Sequence, residues 1–172
     1  SVMLDGVYSA VVVRDILERE RRKGQRAITD PILLRKIILF LADNIGSNVS
    51  ATSIGGTLAD EGLLERRGGK GRPATQTIQA YIDCLTEAHI FYNIKRYDIK
   101  GKSYLRTLGK YYIADTGLRN YLLGYRDGDT GHLLENIIYF ELLRRGYEVA
   151  IGKAGQKEVD FIAVKTDEKK YI

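Results

Sequence analysis

The segment that most constrains the fold lies in the last third of the chain, where a helical pattern leads into strand patterns. Leu134-Glu135-Asn136-Ile137-Ile138-Tyr139-Phe140-Glu141-Leu142-Leu143-Arg144-Arg145-Gly146 reads as an acidic helix. Glu158-Val159-Asp160-Phe161-Ile162-Ala163 then reads as a strand in which Glu158 and Asp160, two residues apart, share one face. The chain therefore ends in an α/β unit, with acids on both a helix and a strand.

Upstream of it, periodicity gives a helical arm and a helical middle. The arm, Val11 to Lys23, is apolar and then strongly charged, with Glu18 and Arg22 at helical i, i+4 spacing and Gly24 as its end. Asp30-Pro31 announces the next helix, a capping residue followed by proline at the first helical position, with a buried stripe of Leu34, Ile37, Ile38, Leu41 and Ile45. Ser50 caps a short helix carrying Ile54 and Leu58, weakened by Gly55-Gly56 and ended by Gly62. Pro73 opens a third helix whose inner face is Ile78, Tyr81, Ile82 and Leu85, leaving Thr75, Gln76, Gln79 and Asp83 outside. Ile90 to Tyr97 and Ser103 to Leu105 are rich in β-formers around the turn Asp98-Ile99-Lys100-Gly101-Lys102, which predicts a hairpin.

Composition narrows the class. At 172 residues, 44% hydrophobic and 28% charged, the chain has the makeup of a globular protein of one domain or two small ones. Its apolar runs fall far short of the roughly 20 residues of a membrane-spanning helix, and no basic-then-apolar leader opens it, so a cytoplasmic protein with no membrane partner is expected. The single cysteine, Cys84, reads as a buried structural thiol. His89 and His132 are isolated, without zinc-site spacing.

The net charge of +5 is unevenly spread. Arg66, Arg67, Lys70 and Arg72 share one Gly-rich loop, and Lys95, Arg96, Lys100, Lys102, Arg106 and Lys110 mark the hairpin region. Two basic segments flanking a helix point to a polyanion, with a solvated positive face as the plainer reading. Three helices followed by a hairpin is the layout of a winged helix-turn-helix domain. Its third helix would enter the roughly 12 Å major groove while basic hairpin residues neutralise phosphates. Gln76 and Gln79 are either adenine readers or ordinary solvated polar residues. DNA is the expected partner, but winged helices also dock proteins, so the fold alone does not establish DNA binding.

Tyr111-Tyr112-Ile113-Ala114-Asp115-Thr116-Gly117-Leu118-Arg119-Asn120, taken with the Glu135-Asn136 helix and the Glu158 to Ala163 strand, resembles the uncharacterised C-terminal domain that follows the AAA-type ATPase in many archaeal and bacterial proteins. The resemblance covers most of the chain and implies an α+β fold, a winged helix-turn-helix followed by a truncated restriction-endonuclease-like α/β core. The expected divisions are a helical arm or linker over 1–29, the winged helix over 30–115 and the partial core over 116–172. No G-x-x-x-x-G-K-[ST] loop is present, and Gly68-Gly69-Lys70-Gly71-Arg72 is too short for one, so the resemblance implies a fragment cut after an upstream ATPase module and inside the core.

The chemistry implied by the resemblance is Mg²⁺-assisted phosphodiester hydrolysis. Glu135, Glu158 and Asp160 would be the catalytic acids, with Glu135 and Asp160 as metal ligands. The family's Gln or Glu and its Lys would fall beyond Ile172, near the strand that Lys169 and Lys170 begin. Plainer roles stand beside these: Glu135 capping or solvating its helix, Glu158 pairing with Lys157 or Lys153, and Asp160 binding backbone amides. Asp115 reads as a turn former, and Arg119 as a phosphate contact or a bridge between domains. The expectation is a nucleic-acid-binding accessory module of an ATPase with an inactive nuclease-like core. The alternatives are a Mg²⁺-dependent nuclease completed by residues outside this chain, and a protein-docking winged helix.

Overall fold

Asp30 and Pro31 show how local chemistry starts this fold. In the structure, a computed structural model that describes residues 13–22, 28–60, 65–66, 69–70, 73–155 and 157–172, with backbone alone at 21, 65, 66, 69, 70 and 105–108, the Asp30 carboxylate accepts from the Ile32 and Leu33 amides at 2.9 and 3.1 Å. Pro31 loses nothing at the first position, where its missing N–H would have no partner. Helix α2 (Pro31–Asp43) follows, after α1 (Asp15–Arg22). Asp30→Ala is expected to destabilise the protein by about 1 kcal/mol, the usual cap contribution, read as a lower urea midpoint at unchanged slope.

The expected helices form, with shifted ends. Strand β1 (Asn48–Val49) and helix α3 (Ala51–Asp60) come next, and α3 runs through both glycines because Gly55 is buried against neighbouring elements. Ser50 Oγ accepts from the Ser53 amide at 3.0 Å, the cap expected of it. Helix α4 (Thr75–Glu87) buries Ile78, Tyr81, Ile82, Cys84 and Leu85, while Thr75, Gln76, Gln79 and Asp83 are exposed. Between α3 and α4 the basic loop holds a short antiparallel pair, β2 (Glu65–Arg66) with β3 (Gly69–Lys70). Gly24, Gly62, Arg67 and Arg72 lie outside the described residues, and of Arg66 and Lys70 the backbone alone is described.

The hairpin is longer than its sequence signals: β4 (Phe91–Asp98) pairs antiparallel with β5 (Ser103–Ile113). Asp98 Oδ1 closes the turn by accepting from Lys100 and Gly101 amides at 3.0 and 3.1 Å. Then come α5 (Thr116–Leu123), a 3₁₀ turn (Asp127–Asp129), α6 (Thr130–Arg144), β6 (Glu148–Ala154), β7 (Lys157–Lys165) and β8 (Glu168–Tyr171). Asp115 caps α5, its carboxylate accepting from the Gly117 and Leu118 amides, which is its turn-forming role.

The hairpin and the C-terminal strands form one mixed six-stranded sheet, in the order β1-β5-β4-β6-β7-β8, with β4 and β6 parallel. The fold is α+β. Consecutive β5 residues divide between two cores. Tyr111 and Ile113 face α1 to α5, among Leu34, Ile38, Ile54 and Ile82, whereas Tyr112 faces the other way, among Tyr139, Leu142, Ile151 and Phe161. The base of the hairpin, Phe91 and Ile94 with Tyr111 to Ile113, is thus buried on both faces, with the helical bundle on one and α6 on the other, while its turn end is exposed. Among the described residues, no helix is long and apolar enough to cross a membrane.

Candidate functional site

Glu135 stands at the head of the buried stripe of α6, with Tyr139 and Leu142 four and seven residues on, so packing of the helix turns its carboxylate toward the sheet. The neighbouring Asn136 fixes the height. Fully buried, it accepts from the Ile113 N–H at 2.9 Å and donates to the Ile113 carbonyl at 3.0 Å. Strand alternation then brings Lys110 and Tyr112 of β5, and Glu158 and Asp160 of β7, to the same face.

Lys110 is the centre of the cluster. Its ammonium lies 2.9 Å from Glu135, 2.8 Å from Glu158 and 4.0 Å from Asp160, and its side chain is only 6% exposed. The Tyr112 hydroxyl donates to the same Glu135 oxygen at 2.5 Å. Asn48 donates to Glu158 at 3.3 Å, and Arg96 approaches Glu158 at 3.6 Å. Gly46 adopts φ +71° after α2, and a Cβ there would stand 3.0 Å from Glu135 Oε2 and 3.2 Å from His132 Nδ1. Glycine suits this position on both counts, conformation and close approach.

Burial alone would pull the Lys110 ammonium below its ordinary value, but the Glu158 and Glu135 carboxylates outweigh burial and hold it above. Burial would raise the Glu158 carboxyl, yet Lys110 and Asn48 bring it below the ordinary range. The Tyr112 hydroxyl is pushed well up, first by burial and then by its bond to the Glu135 carboxylate. Lys110 and Glu158 are therefore ionised partners at neutral pH, and the Tyr112 hydroxyl keeps its proton.

A cavity of about 410 Å³ opens beside it, lined by His132, Glu135, Ile138, Asp160, Phe161 and Ile172. Asp160 is 66% exposed toward solvent. The Mg²⁺ implied by the resemblance does not fit the side chains as they stand. Among the described residues, no three His, Cys, Asp or Glu side chains group to hold a metal ion, and an ammonium already bridges the two nearest carboxylates. The geometry seats a resident lysine cation.

The structure thus brings Glu135, Glu158 and Asp160 to one place and adds Tyr112, which sequence reasoning missed, and Lys110, which the sequence counted among the basic residues of the hairpin but which is buried against these acids. The signal was present: a lysine that shares a strand face with Tyr112 and leads directly into the run Tyr111-Tyr112-Ile113 needs a partner if that run is buried. Of the expected nucleic-acid contacts, Gln76, Lys95, Lys100 and Lys102 are exposed, while Gln79 donates to Asp83 at 2.8 Å. Arg96, 13% exposed, turns inward to Glu158. Arg119 is fully buried and bridges elements, its Nε donating to the Ala42 carbonyl at 2.9 Å and a terminal nitrogen to Asp129 at 2.6 Å.

Two longer proteins are similar to the chain. An uncharacterized protein of Haemophilus influenzae is 41% identical over 170 residues, 99% of this chain but 39% of that protein. The uncharacterized protein MJ1544 of Methanocaldococcus jannaschii is 26% identical over 163 residues, 92% of this chain and 32% of its own length. The chain therefore spans well under half of either relative. No solved structure matches. A family model described as Domain of unknown function (DUF8612) matches residues 4–129, most of the chain, and the chain belongs to that family.

Proposed function

We propose that this chain is a nucleic-acid-binding module, a winged helix joined to a restriction-endonuclease-like core, within a longer prokaryotic protein of the ATPase type. The observation that carries the reading is the exposed face of α4, with Gln76 outward, followed directly by a hairpin whose Lys95, Lys100 and Lys102 are exposed. A helix of this kind suits a major groove, and lysines on the adjoining hairpin suit phosphates. The core serves as scaffold in this reading, because Lys110 already neutralises the acids that a metal would need.

The test is titration of the full-length protein with a labelled DNA duplex at two salt concentrations. Affinity should fall steeply with salt. Lys102→Ala should weaken binding uniformly across sequences and reduce the log-log salt slope by about 0.9, the contribution of one phosphate contact. Undetectable duplex binding at low salt would overturn the reading in favour of protein docking. A metal-dependent nuclease is the second reading, favoured by the shared cavity of Glu135 and Asp160. Mg²⁺-dependent cleavage by the full-length protein, abolished by Asp160→Ala, would reverse the order.

A further inference from the structure

The sheet face opposite α6 carries a continuous run of aromatic and cationic side chains that no part of the site above uses. Arg96 reaches Glu158 on the α6 side, so its neighbour Tyr97 faces the other way. Lys170 lies over the Tyr147 ring on the α6 side, which sends Lys169 and Tyr171 to the opposite face. There Tyr97 and Tyr104, direct cross-strand partners, meet edge to face with ring centres 5.2 Å apart. Lys169 Nζ lies 5.9 Å from the Tyr97 ring centre and 5.2 Å from that of Tyr171.

Two of these rings are open to solvent, Tyr104 at 59% and Tyr171 at 54%. Directly opposite Tyr97 on β6 is Gly152, where a Cβ would stand 2.9 Å from Val159 Cβ and 3.1 Å from Ile162. The floor between the rings is therefore low and apolar. Charge around it is mainly positive, with Lys95, Lys102 and Lys169 exposed. Asp98 has its carboxylate engaged by its own turn, and Glu148 stands at the far end of β6.

We infer that this face is a stacking platform for single-stranded nucleic acid, with bases laid on Tyr104 and Tyr171 and the phosphates following Lys169 and Lys102. Exposed rings with lysines between them suit an unpaired strand, since every base offers a π-face and the backbone needs only diffuse positive charge. A duplex hides its base faces and gains nothing from the rings. A protein partner would find charged lysines within the patch rather than at its rim. The inference shares the nucleic-acid class and the hairpin lysines of the proposed function, and differs from it in using the exposed rings of Tyr104 and Tyr171, which lie outside the α4 face.

The experiment is fluorescence anisotropy of a labelled 12-mer oligothymidylate with the full-length protein, beside a duplex of equal length. The expected result is salt-sensitive binding that weakens roughly tenfold in Tyr104→Ala and again in Tyr171→Ala, but is kept in Tyr104→Phe and Tyr171→Phe, which preserve the ring. Duplex affinity should be unchanged in all four, and thermal unfolding should confirm that these exposed positions leave the fold intact. Absence of single-strand binding, or equal binding by the Ala variants, overturns the platform whatever the duplex does. Lost duplex binding with a sensitive single strand would instead overturn the groove-reading function and leave the platform standing.

Discussion

Replacing Lys110 with methionine is expected to be among the most destabilising single changes in this chain, by about 2 to 3 kcal/mol at neutral pH. Methionine keeps the length and the apolar stem but leaves Glu135, 17% exposed, and Glu158, 31% exposed, facing each other without the ammonium between them. Removing one member of a buried ion pair typically costs more than the pair itself contributes, about 3 to 5 kcal/mol, because a charge is left without a partner. The lower figure applies here because water still reaches Glu158. Urea unfolding measures it, and a loss under about 1 kcal/mol would mean that the cluster is solvated rather than held by the lysine.

The same variant has a defined pH signature. Glu158 is lowered in the fold, so its contribution is fully present above the ordinary glutamate value near 4.5 and is lost as pH falls through the folded value below it. Lys110 is raised, so its contribution is present below its ordinary 10.5 and is lost as pH rises through the folded value above that. The gap between wild type and Lys110→Met should therefore be widest between these limits and should close on acidification, as the unpartnered carboxylates protonate. Adding Glu135→Gln to the variant should recover much of the loss by removing one charge. Mn²⁺ should raise the melting temperature of Lys110→Met and not that of wild type, since only the variant leaves the carboxylates free for a cation.

How much of this was legible in the sequence differs from element to element. The start of α2 was written in Asp30-Pro31, and the buried face of α4 in Ile78, Tyr81, Ile82 and Leu85, because caps and helical periodicity are local. Glu158 and Asp160 were legible as one face of a strand for the same reason. The pairing of β4 with β6 was not, since a parallel neighbour is reached by a crossover through β5, α5 and α6 and leaves no turn signal between the partners. Lys110 escaped because the resemblance directs attention to a lysine beyond Ile172, whereas the sheet brings one in from the hairpin. Arg96 was counted with the hairpin cations, but it sits opposite buried Ile151 on β6, and its side chain turns inward to within 3.6 Å of Glu158.

Asn136 shows how the site is held in place, and Asn136→Leu should cost about 3 to 4 kcal/mol. On β5 the Ala114 N–H reaches across to Ile90 on the hairpin side, so by alternation the N–H and C=O of Ile113 point to the opposite edge. The β1 strand pairs there only with Gly109 and Lys110 and ends before Ile113. The Asn136 amide takes the place of a neighbouring strand, one oxygen accepting and one nitrogen donating. Leucine fills the same volume but leaves two buried backbone groups unsatisfied, at roughly 1 to 3 kcal/mol each. Asn136→Asp should fare no better at neutral pH, because a carboxylate can accept from the Ile113 N–H but repels its carbonyl. Chemical denaturation of both variants distinguishes this from simple packing: if the aspartate variant matched wild type, the carbonyl bond would be unimportant. Since Glu135 precedes Asn136 on α6, loosening this clamp should also move the carboxylate away from Lys110 and Tyr112. The double variant Asn136→Leu with Lys110→Met should then lose less than the sum of its parts, the non-additivity expected of residues that act as one unit.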